Sequence, residues 1–490
     1  AAAGAAGVGA KVALIERSLL GGDCLNSGCV PSKSLLRSAH AIADLRAAAA
    51  VGVNVAQDGV EVDFPAIMER LRKIRSRISE NDSAHRFQHV LGVDVFIGDG
   101  RFVDRSRIEV AGATLRFSKA VIATGARPFV PPIEGLEEAG YFTNETIFSL
   151  TELPPRMAII GGGPIGETIF SLTELPPRMA IIGGGPIGCE LAQAFASLGS
   201  HVTLIEMASQ FLTREDPDAA AILRTALEQD GVDVALGASI KAVEGSNEPG
   251  SVKRLRLLRG GGGGGGGKEE SIEVDAILVG AGRIPNVDGL GLELAGVRQD
   301  RRGVLVDDYL RTDNKNIYAA GDVCMATKFT HAADFASRAV IQNALFFGRK
   351  KLSALTIPWC TYTRPEIAHV GLYGHEAEER GIELDTYLRP FSEVDRAIAE
   401  GDEEGFVKIH TEKGSDKIVG ATIVAKHAGE MISEISVAMA GGVGLSRIAS
   451  VIHPYPTQAE AIRQLGDAYN RTKLTPTVAK IFRWFLSIRR

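Results

Sequence analysis

Short apolar runs that end at an acidic residue alternate with helix-like stretches along the chain. The opening residues AAAGAAGVGA are small and helix-like, and they lead into Lys11–Glu16, which is typical of a buried strand. The same order returns at Met179–Ile182, Cys189–Leu198 and His201–Ile205, where strand, helix and strand follow one another. Strands joined by helices form parallel sheets, so the pattern predicts an α/β fold.

The second unit carries a complete glycine turn. Gly183, Gly185 and Gly188 form G-x-G-x-x-G between the first strand and the helix, and Glu206 follows the next strand, 23 residues after Gly183. Such glycines let backbone N–H groups approach a pyrophosphate, and the acid accepts hydrogen bonds from an adenosine ribose. A carboxylate there repels a 2′-phosphate, which favours NADH, with NADPH as the alternative.

The unit at the amino terminus lacks its first half. A dinucleotide-binding βαβ unit needs a strand and a glycine-rich turn ahead of its helix, but here the helix-like stretch comes first. We therefore expect the chain to begin inside a nucleotide-binding domain.

A 22-residue string, ETIFSLTELPPRMAIIGGGPIG, occurs twice in tandem, at 145–166 and 167–188. After the first copy, Pro176 and Pro177 would cut the following helix too short for a crossover. We expect the second copy to form the nucleotide site and the extra residues to be extruded. The run of eight glycines at Gly260–Gly267 is expected to be a loop without function.

Composition limits the class of protein. A chain of 490 residues predicts about three domains, and 45% hydrophobic with 23% charged residues is ordinary for a globular enzyme. The net charge of -6 argues against nucleic acid or another polyanion as the main partner. No apolar run reaches the roughly 18 residues that span a bilayer, so we expect a soluble, cytoplasmic protein.

The candidate chemistry lies in GGDCLNSGCVPSKSLL, where Cys24 and Cys29 are five residues apart. On a regular helix they would point about 140° apart, so a disulfide requires a distorted turn with Cys24 at or before the helix start. Gly21, Gly22, Asn26 and Gly28 supply that freedom. Two buried structural thiols or half of a zinc site are the alternatives, and zinc is disfavoured because no second C-x-x-C or His cluster completes four ligands.

Several motifs in a fixed order resemble one family. The Cys24–Cys29 block, VIATGARP, the second βαβ unit, VGAGRIPN and NIYAAGDV are similar to the FAD-dependent pyridine nucleotide-disulfide oxidoreductases. The resemblance implies two Rossmann-like domains, for FAD and NAD, and a carboxy-terminal α+β dimerisation domain that forms a homodimer. The expected boundaries are 1–144 and 298–350 for FAD, 145–297 for NAD and 351–490 for dimerisation.

The resemblance also implies residue roles. Electrons would pass from NADH through FAD into a Cys24–Cys29 disulfide, with Cys29 against the flavin and Cys24 meeting substrate. The other matching positions divide into a Lys33–Glu190 pair near the flavin, FAD contacts at Glu16, Thr124, Gly125, Asp322, Thr330 and His331, and Gly282 beside the nicotinamide nucleotide.

The string HPYPTQAE departs from the family's His-Pro-Thr-x-x-Glu motif. Alignment on Thr457 and Glu460 puts Tyr455 where that histidine belongs, as in mercuric reductases, and His453 is a candidate substitute. We expect a mercuric-reductase-like enzyme that acts on a soft metal ion or a small disulfide. A dihydrolipoyl dehydrogenase and a flavin-poor, non-catalytic dimeric binding or redox-sensing module are the alternatives.

Two expectations concern the carboxy-terminal third. The segments IPWCTYTRPEIAHVG, VKIHTE and IVGATIVA suggest a mixed sheet. The last twenty residues carry six Lys or Arg and no acid among apolar residues, which favours a helix docked on the dimer over one on a membrane surface.

Overall fold

A computed structural model describes residues 1–54, 56, 60–148, 158–161, 179–248, 250–260 and 267–489. Most of the first glycine turn and the centre of the glycine run lie outside the described residues. By internal contacts the chain divides into two compact units. Unit 1 comprises Ala1–Ala43, Asp58–Phe211 and Asp230–Leu355, and unit 2 comprises Asp44–Gln57, Leu212–Gln229 and Thr356–Arg490.

The α-helices among the described residues are α1 (Ala2–Gly7), α2 (Gly22–Asn26), α3 (Cys29–Ala47), α4 (Phe64–Ser79), α5 (Leu136–Ala139), α6 (Asn144–Ile147), α7 (Pro186–Leu198), α8 (Pro217–Gln229), α9 (Leu292–Ala295), α10 (Thr330–Leu345), α11 (Gly374–Glu379), α12 (Asp395–Glu400), α13 (Ala428–Ala440), α14 (Leu445–Ile448), α15 (Glu460–Thr472) and α16 (Pro476–Ile488). None of these described helices is both long enough and apolar enough to cross a membrane.

The strands of unit 1 are β1 (Ala13–Glu16), β2 (Asp94–Ile97), β3 (Arg101–Phe102), β4 (Arg107–Val110), β5 (Ala113–Arg116), β6 (Ala120–Ile122), β7 (Ala126–Pro128), β8 (Ala158–Gly161), β9 (Met179–Ile182), β10 (Val202–Ile205), β11 (Val232–Ala235), β12 (Ala238–Glu244), β13 (Lys253–Arg259), β14 (Lys268–Val274), β15 (Ile277–Gly280), β16 (Arg283–Pro285), β17 (Gln299–Asp300), β18 (Gly303–Val304) and β19 (Ile317–Ala319). Those of unit 2 are β20 (Pro358–Thr361), β21 (Glu366–Gly371), β22 (Leu384–Pro390), β23 (Phe406–Glu412) and β24 (Ile418–Ala425).

The complete βαβ unit of the sequence forms a parallel sheet in unit 1. Its strand order is β11-β10-β9-β15-β8, and α7 connects β9 to β10. Ala180, Leu204, Ala235 and Ile277 are fully buried, as expected for strands covered on both faces. The glycine turn therefore lies at the carboxyl end of a central strand, which is where nucleotides bind in such sheets.

The first copy of the duplicated string is not extruded as a whole. Its strand β8 pairs in parallel with β9, Ile159 opposite Ile181, and with β15, Gly161 opposite Gly280. The expectation of full extrusion was wrong, because the apolar run that suits the second copy to a buried parallel strand is present in the first copy as well.

Two further parallel pairs in unit 1 come from the expected FAD segments. β1 pairs with β2 and carries Glu16 at its end, and β6 pairs with β19, which precedes Asp322. Ile122, Ile317, Ala319 and Val323 belong to one buried cluster beside the second pair. The predicted α/β class is confirmed, and the domain boundaries stay predictions.

Unit 2 is built on a five-stranded sheet of order β20-β21-β24-β23-β22, and all of its pairings are antiparallel. The expectation of a mixed sheet was wrong. The β21, β23 and β24 segments are continuous apolar runs, and such runs do not distinguish parallel strands from central antiparallel ones. Helices α13 and α15 cover the sheet with Ile435, Ile462 and Leu465.

Candidate redox and nucleotide site

Cys24 and Cys29 lie on two successive helices of unit 1. Cys24 is inside the short helix α2, which ends at Asn26, and Cys29 is the first residue of α3. Cys24 therefore lies before the start of the helix that carries Cys29, as expected from the spacing, and it belongs to a short helix of its own. A Cβ on Gly28 would lie 3.0 Å from the Asp23 carbonyl oxygen and 3.3 Å from the Cys24 Cα, so glycine permits the tight passage between the helices. The break brings two thiols together that a continuous helix would separate.

The two thiols have different acidities. A hydrogen bond from Cys24 lowers the pKa of Cys29 to about 6, with smaller contributions from Thr330 and the charge of Lys33. The same contact raises the pKa of Cys24, and burial raises it further. The Cys29 Sγ lies 3.5 Å from Thr330 Oγ1 at the start of α10. Cys29 is thus the thiolate of the pair near neutral pH, and a thiolate is the form that takes part in disulfide exchange.

An ion pair joins the cysteine helix to the helix of the glycine turn. Lys33, one turn after Cys29, donates to Glu190 with an Nζ–Oε2 distance of 2.6 Å. The Glu190 side chain is 3% exposed, because α7 is buried along most of its length. A buried carboxylate holds its cation firmly, since removal of the cation would leave an uncompensated charge. The structure thus brings together the two residues that the sequence matched as a pair.

Asp23 is a site residue that the sequence analysis missed. Its Oδ1 accepts hydrogen bonds from Ser27 Oγ at 2.7 Å and Asn144 Nδ2 at 3.2 Å, and its Oδ2 accepts one from Arg283 at 2.6 Å. The carboxylate raises the pKa of both neighbouring thiols by charge repulsion. Its place directly before Cys24 was the available signal, although an acid beside a cysteine does not by itself reveal three partners.

Arg283 connects Asp23 to a residue expected to contact FAD. Besides Asp23, its guanidinium pairs with Asp322 at 3.4 Å and donates to the Ala126 carbonyl at 2.8 Å. Burial raises the pKa of Asp322, and the charges of Arg283 and Lys328 oppose that rise. Arg283 lies within the VGAGRIPN motif, in which only Gly282 was expected to have a role.

The positions matched to FAD leave space for a ligand. Gly125 adopts a φ of +69°, and a Cβ there would meet nothing within 4 Å. Thr124 donates to the Asn286 carbonyl at 2.6 Å, which anchors this turn to the segment after β16. Glu16 accepts from the Ser18 N–H at 2.9 Å, which leaves carboxylate capacity for a ribose. Together with the half-buried Asp322, these features fit the dinucleotide cofactor that the sequence implies.

Thr330 and His331 open helix α10, which carries Thr330 to the cysteine pair. The His331 ring stacks on Phe329 with a centroid distance of 5.5 Å. The roles of both residues toward FAD stay predictions.

The second glycine turn has the geometry of a phosphate cradle. Gly183 adopts a φ of +110°, a Cβ on Gly188 would lie 2.0 Å from the Gly183 carbonyl oxygen, and a Cβ on Gly185 would meet nothing within 4 Å. Gly188 therefore serves packing between helix and strand, whereas Gly185 faces open space at the start of α7. Glu206 accepts from the Gly184 N–H at 2.6 Å and from the Ala208 N–H at 2.9 Å.

Gly282 adopts a φ of +128°, and a Cβ there would also meet nothing within 4 Å. It lies between β15 and β16, directly before Arg283. Its role beside the nicotinamide nucleotide stays a prediction.

Tyr455, Glu460 and His453 belong to unit 2. Tyr455 donates to Asp395 at 2.8 Å, whereas Glu460 accepts from Arg463 at 2.7 Å. His453 lies 2.9 Å from Glu434. The carboxylate partner of Tyr455 is thus Asp395, and the histidine–carboxylate pair of this segment is His453–Glu434. The catalytic roles of Tyr455 and Glu460, and the choice between Tyr455 and His453 as the acid/base, stay predictions.

In the part of the chain that the structure describes, no group of three or more His, Cys, Asp or Glu side chains is placed to hold a metal ion.

Comparisons with known proteins agree with this geometry. The family model described as pyridine nucleotide-disulphide oxidoreductase matches residues 1–169 and 167–342, and its dimerisation-domain model matches residues 357–465. Mercuric reductase from Lysinibacillus sphaericus is 33% identical over 464 residues, which cover 94% of this chain and 79% of that protein. Dihydrolipoyl dehydrogenase from Chlamydia muridarum is 34% identical over 471 residues, which cover 94% and 92%.

Among solved structures, a HOCl-induced flavoprotein disulfide reductase from Escherichia coli superposes with a TM-score of 0.78 at 27% identity, covering 95% of this chain and 96% of that one. A copper(II) complex of the same Escherichia coli protein superposes with the same TM-score. These neighbours share the arrangement of two nucleotide-binding domains and a carboxy-terminal dimerisation domain that the sequence predicted, and that prediction is confirmed.

Proposed function

Because this chain belongs to the pyridine nucleotide-disulphide oxidoreductase family, we propose that it passes electrons from NADH to the Cys24–Cys29 pair and on to a soft metal ion or a small disulfide. The family is FAD-dependent and uses NAD(P)H. Bound FAD supplies the two-electron relay between nicotinamide and disulfide. The residues of this chain hold the nucleotides, set the thiol acidities and bind the acceptor.

The observation that carries the proposal is the pair of contacting thiols with opposed acidities. Cys29 ionises at the start of α3, where helix N–H groups stabilise an anion, and the hydrogen bond from Cys24 stabilises the same anion. Cys24 keeps its proton and is the nucleophile only after that proton leaves. A reduced pair of this kind can bind a thiophilic metal ion through two sulfurs or open an external disulfide.

Tyr455 supports the soft-metal substrate. A phenol is a poor base near neutral pH, and the hydrogen bond to Asp395 raises the pKa of Tyr455 further. A group of this kind serves as a ligand or hydrogen-bond donor rather than as the base that deprotonates a dithiol. Mercuric reductases are among the relatives at about one-third identity. A structural neighbour has been solved as a copper(II) complex, which also favours a metal ion as the substrate.

His453 favours dihydrolipoyl dehydrogenase as the second candidate. Its contact with Glu434 is the histidine–carboxylate arrangement that orients an imidazole for proton transfer. A relative of that name is 34% identical to this chain. A functional base at His453 would take the proton of a thiol of dihydrolipoamide, whose thiolate would attack the Cys24 sulfur of the Cys24–Cys29 disulfide and release Cys29 as a thiolate.

Three further parts of the proposal concern the nucleotide, assembly and location. Glu206 lies at the end of β10 beside the glycine turn, and its charge favours NADH over NADPH. The dimerisation-domain match supports a homodimer. We also propose a cytoplasmic location.

Acceptor screening tests the proposal. The purified protein, supplied with FAD, is assayed with NADH and NADPH against Hg²⁺, Cu²⁺, lipoamide and glutathione disulfide, and flavin content is measured by absorbance. We expect faster oxidation of NADH with a metal ion than with lipoamide, and loss of both activities in Cys24→Ala. Lipoamide activity that disappears in His453→Ala but persists in Tyr455→Phe would reverse the order of the two candidates. A protein that takes up no flavin would instead be the non-catalytic module.

A further inference from the structure

Helix α16 of unit 2 exposes a large apolar surface. None of its described residues is buried, and six of its apolar side chains are between 48% and 65% exposed, namely Ile481, Phe482, Trp484, Phe485, Leu486 and Ile488. The preceding helix, α15, differs in that it buries Ile462, Leu465 and Tyr469 against the sheet. A helix of this length is marginally stable in water unless an apolar surface covers it.

The helix separates apolar from basic residues. At about 100° per residue, Val478, Ile481 and Phe485 share one face, with Phe482 and Ile488 on either side of it. Lys480, Arg483 and Ser487 share the opposite face. The Thr475 side chain caps the first turn by accepting from the Val478 N–H at 3.3 Å, so the helix has a defined beginning.

The charge of this segment is opposite to that of the whole protein. The last twenty residues contain six Lys or Arg and no acid, whereas the chain as a whole has a net charge of -6. Amphipathic helices carry charged and polar residues opposite their apolar face, and here every charged residue of that face is basic. An aromatic apolar face opposite a uniformly basic face is the pattern of helices that lie in the plane of an anionic membrane surface.

We propose that α16 attaches the protein to a membrane surface that carries anionic lipid headgroups. Phe482, Trp484 and Phe485 enter the boundary between headgroups and acyl chains, and Lys480 and Arg483 contact lipid phosphates. The guanidinium of Arg489, 5.0 Å from the Phe485 ring centroid, extends from the apolar side toward the headgroups. The attachment is peripheral, and it goes beyond the proposed redox function because it uses none of the redox residues.

Vesicle flotation with the full chain tests the proposal. The protein is mixed with vesicles of phosphatidylcholine alone or with about 30 mol% phosphatidylglycerol. We expect flotation with the anionic vesicles, roughly tenfold weaker binding to neutral ones, and release as salt screens the charges. Brominated acyl chains should quench Trp484, and Trp484→Phe should abolish the quenching while Trp359, the other tryptophan, remains as an internal reference.

Variants separate the two faces of the helix. Ile481→Asp with Phe485→Asp should abolish binding to both kinds of vesicle, and Lys480→Glu with Arg483→Glu should remove only the preference for anionic lipid. Lys413→Glu with Lys417→Glu is the matched control, because it reverses two exposed charges elsewhere in unit 2 and should leave flotation unchanged. Circular dichroism and flavin content establish that each variant is folded.

Two results would overturn the proposal. One is failure of the folded wild-type protein to float with anionic vesicles at low salt. The other is a loss of flotation in the Lys413→Glu, Lys417→Glu control as large as that of the helix variants, which would make the effect one of overall charge. If the wild type does not bind lipid and analytical ultracentrifugation gives a lower molecular mass for the apolar-face variants, α16 would instead contact a second copy of this chain. Acceptor screening is read independently of all three outcomes.

Discussion

At the scale of single residues, the acidity of the cysteine pair depends on neighbours from several segments. Cys24 lowers the pKa of Cys29, Thr330 contributes from α10, and Asp23 opposes ionisation of both thiols. These groups act together only because the chain folds, since Thr330 is 301 residues away from Cys29. The motif indicated which two thiols matter, and their surroundings decide which one ionises.

The first prediction concerns pH. With a Cys29 pKa of about 6, thiolate is present above that pH and is lost as the pH falls through it. Alkylation of the reduced protein by iodoacetamide, resolved by mass spectrometry, should be half-maximal at Cys29 near pH 6. In Cys24→Ala the stabilising hydrogen bond is gone, so the midpoint should rise toward that of an ordinary thiol. An unchanged midpoint in this variant would contradict the assignment of the hydrogen bond as the main cause.

The second prediction concerns Asp23. Asp23→Asn removes a negative charge beside both thiols while keeping an amide that can accept from Ser27, so the alkylation midpoint of Cys29 should shift to lower pH. Ser27→Ala is the control, because it removes one hydrogen bond and leaves the carboxylate and Arg283 in place. A shift of the same size in both variants would mean that local structure, and not charge, sets the acidity.

At the scale of elements, the glycines at the starts of helices α3 and α7 have different roles. Gly28 separates α2 from α3 so that two thiols meet, and Gly188 lets α7 pack against the Gly183 carbonyl. A Cβ on Gly185 would meet nothing within 4 Å, and its φ of -79° is open to any residue, so neither packing nor backbone conformation requires glycine there. The motif combines a tight turn, access for the pyrophosphate and close helix packing, and the structure assigns packing to Gly188 and access to Gly185.

The third prediction follows from that distinction. Gly185→Val should fold normally but weaken NADH binding by roughly a hundredfold, about 2.7 kcal/mol, because the side chain occupies the space beside the turn. Gly188→Ala should instead destabilise the protein by about 1–3 kcal/mol through overpacking. Thermal denaturation and NADH titration separate the two effects. Gly163→Val, in the first copy of the duplicated string, is expected to leave NADH binding unchanged, and a loss equal to that of Gly185→Val would refute the choice of the second copy.

At the scale of the whole molecule, segments far apart in sequence form each compact unit. Unit 2 includes Leu212–Gln229, an excursion from the middle of the chain that contains α8. Lys408 on β23 holds it by pairing with Asp216 at 2.8 Å and Asp218 at 2.7 Å, and the Asp216 side chain is 10% exposed. The Trp359 indole donates to buried Glu215 at 2.8 Å in the same region. Charged groups therefore hold α8 within unit 2.

The fourth prediction tests this anchor. Lys408→Met leaves the buried Asp216 carboxylate without its cation, and we expect a loss of about 3 kcal/mol in stability. Urea denaturation monitored by Trp359 fluorescence, with Trp484→Phe as background, measures it. Lys413→Met, at a pair whose side chains are 59% and 75% exposed, should change stability by less than about 0.5 kcal/mol. Equal effects would show that the buried pair does not hold the excursion in place.

The sequence by itself determined the fold class, the family, the cysteine pair and the second glycine turn. Each of these rests on residues close together in the chain, where strand periodicity, glycine spacing and cysteine spacing have direct physical meaning. The match of Lys33 to Glu190 came from the resemblance, and the structure bears out their contact at 2.6 Å.

Only the tertiary structure decided which contacts form between segments that are far apart in the sequence. The Asp23–Arg283–Asp322 chain, the partner of His453, the antiparallel order of the carboxy-terminal sheet and the inclusion of β8 in the parallel sheet all belong here. An apolar run does not reveal which strand it will pair with, and a charged residue does not reveal which residue of opposite charge it will contact. Both are settled by packing, because burial makes an unpaired backbone group or charge costly wherever its partner lies in the sequence.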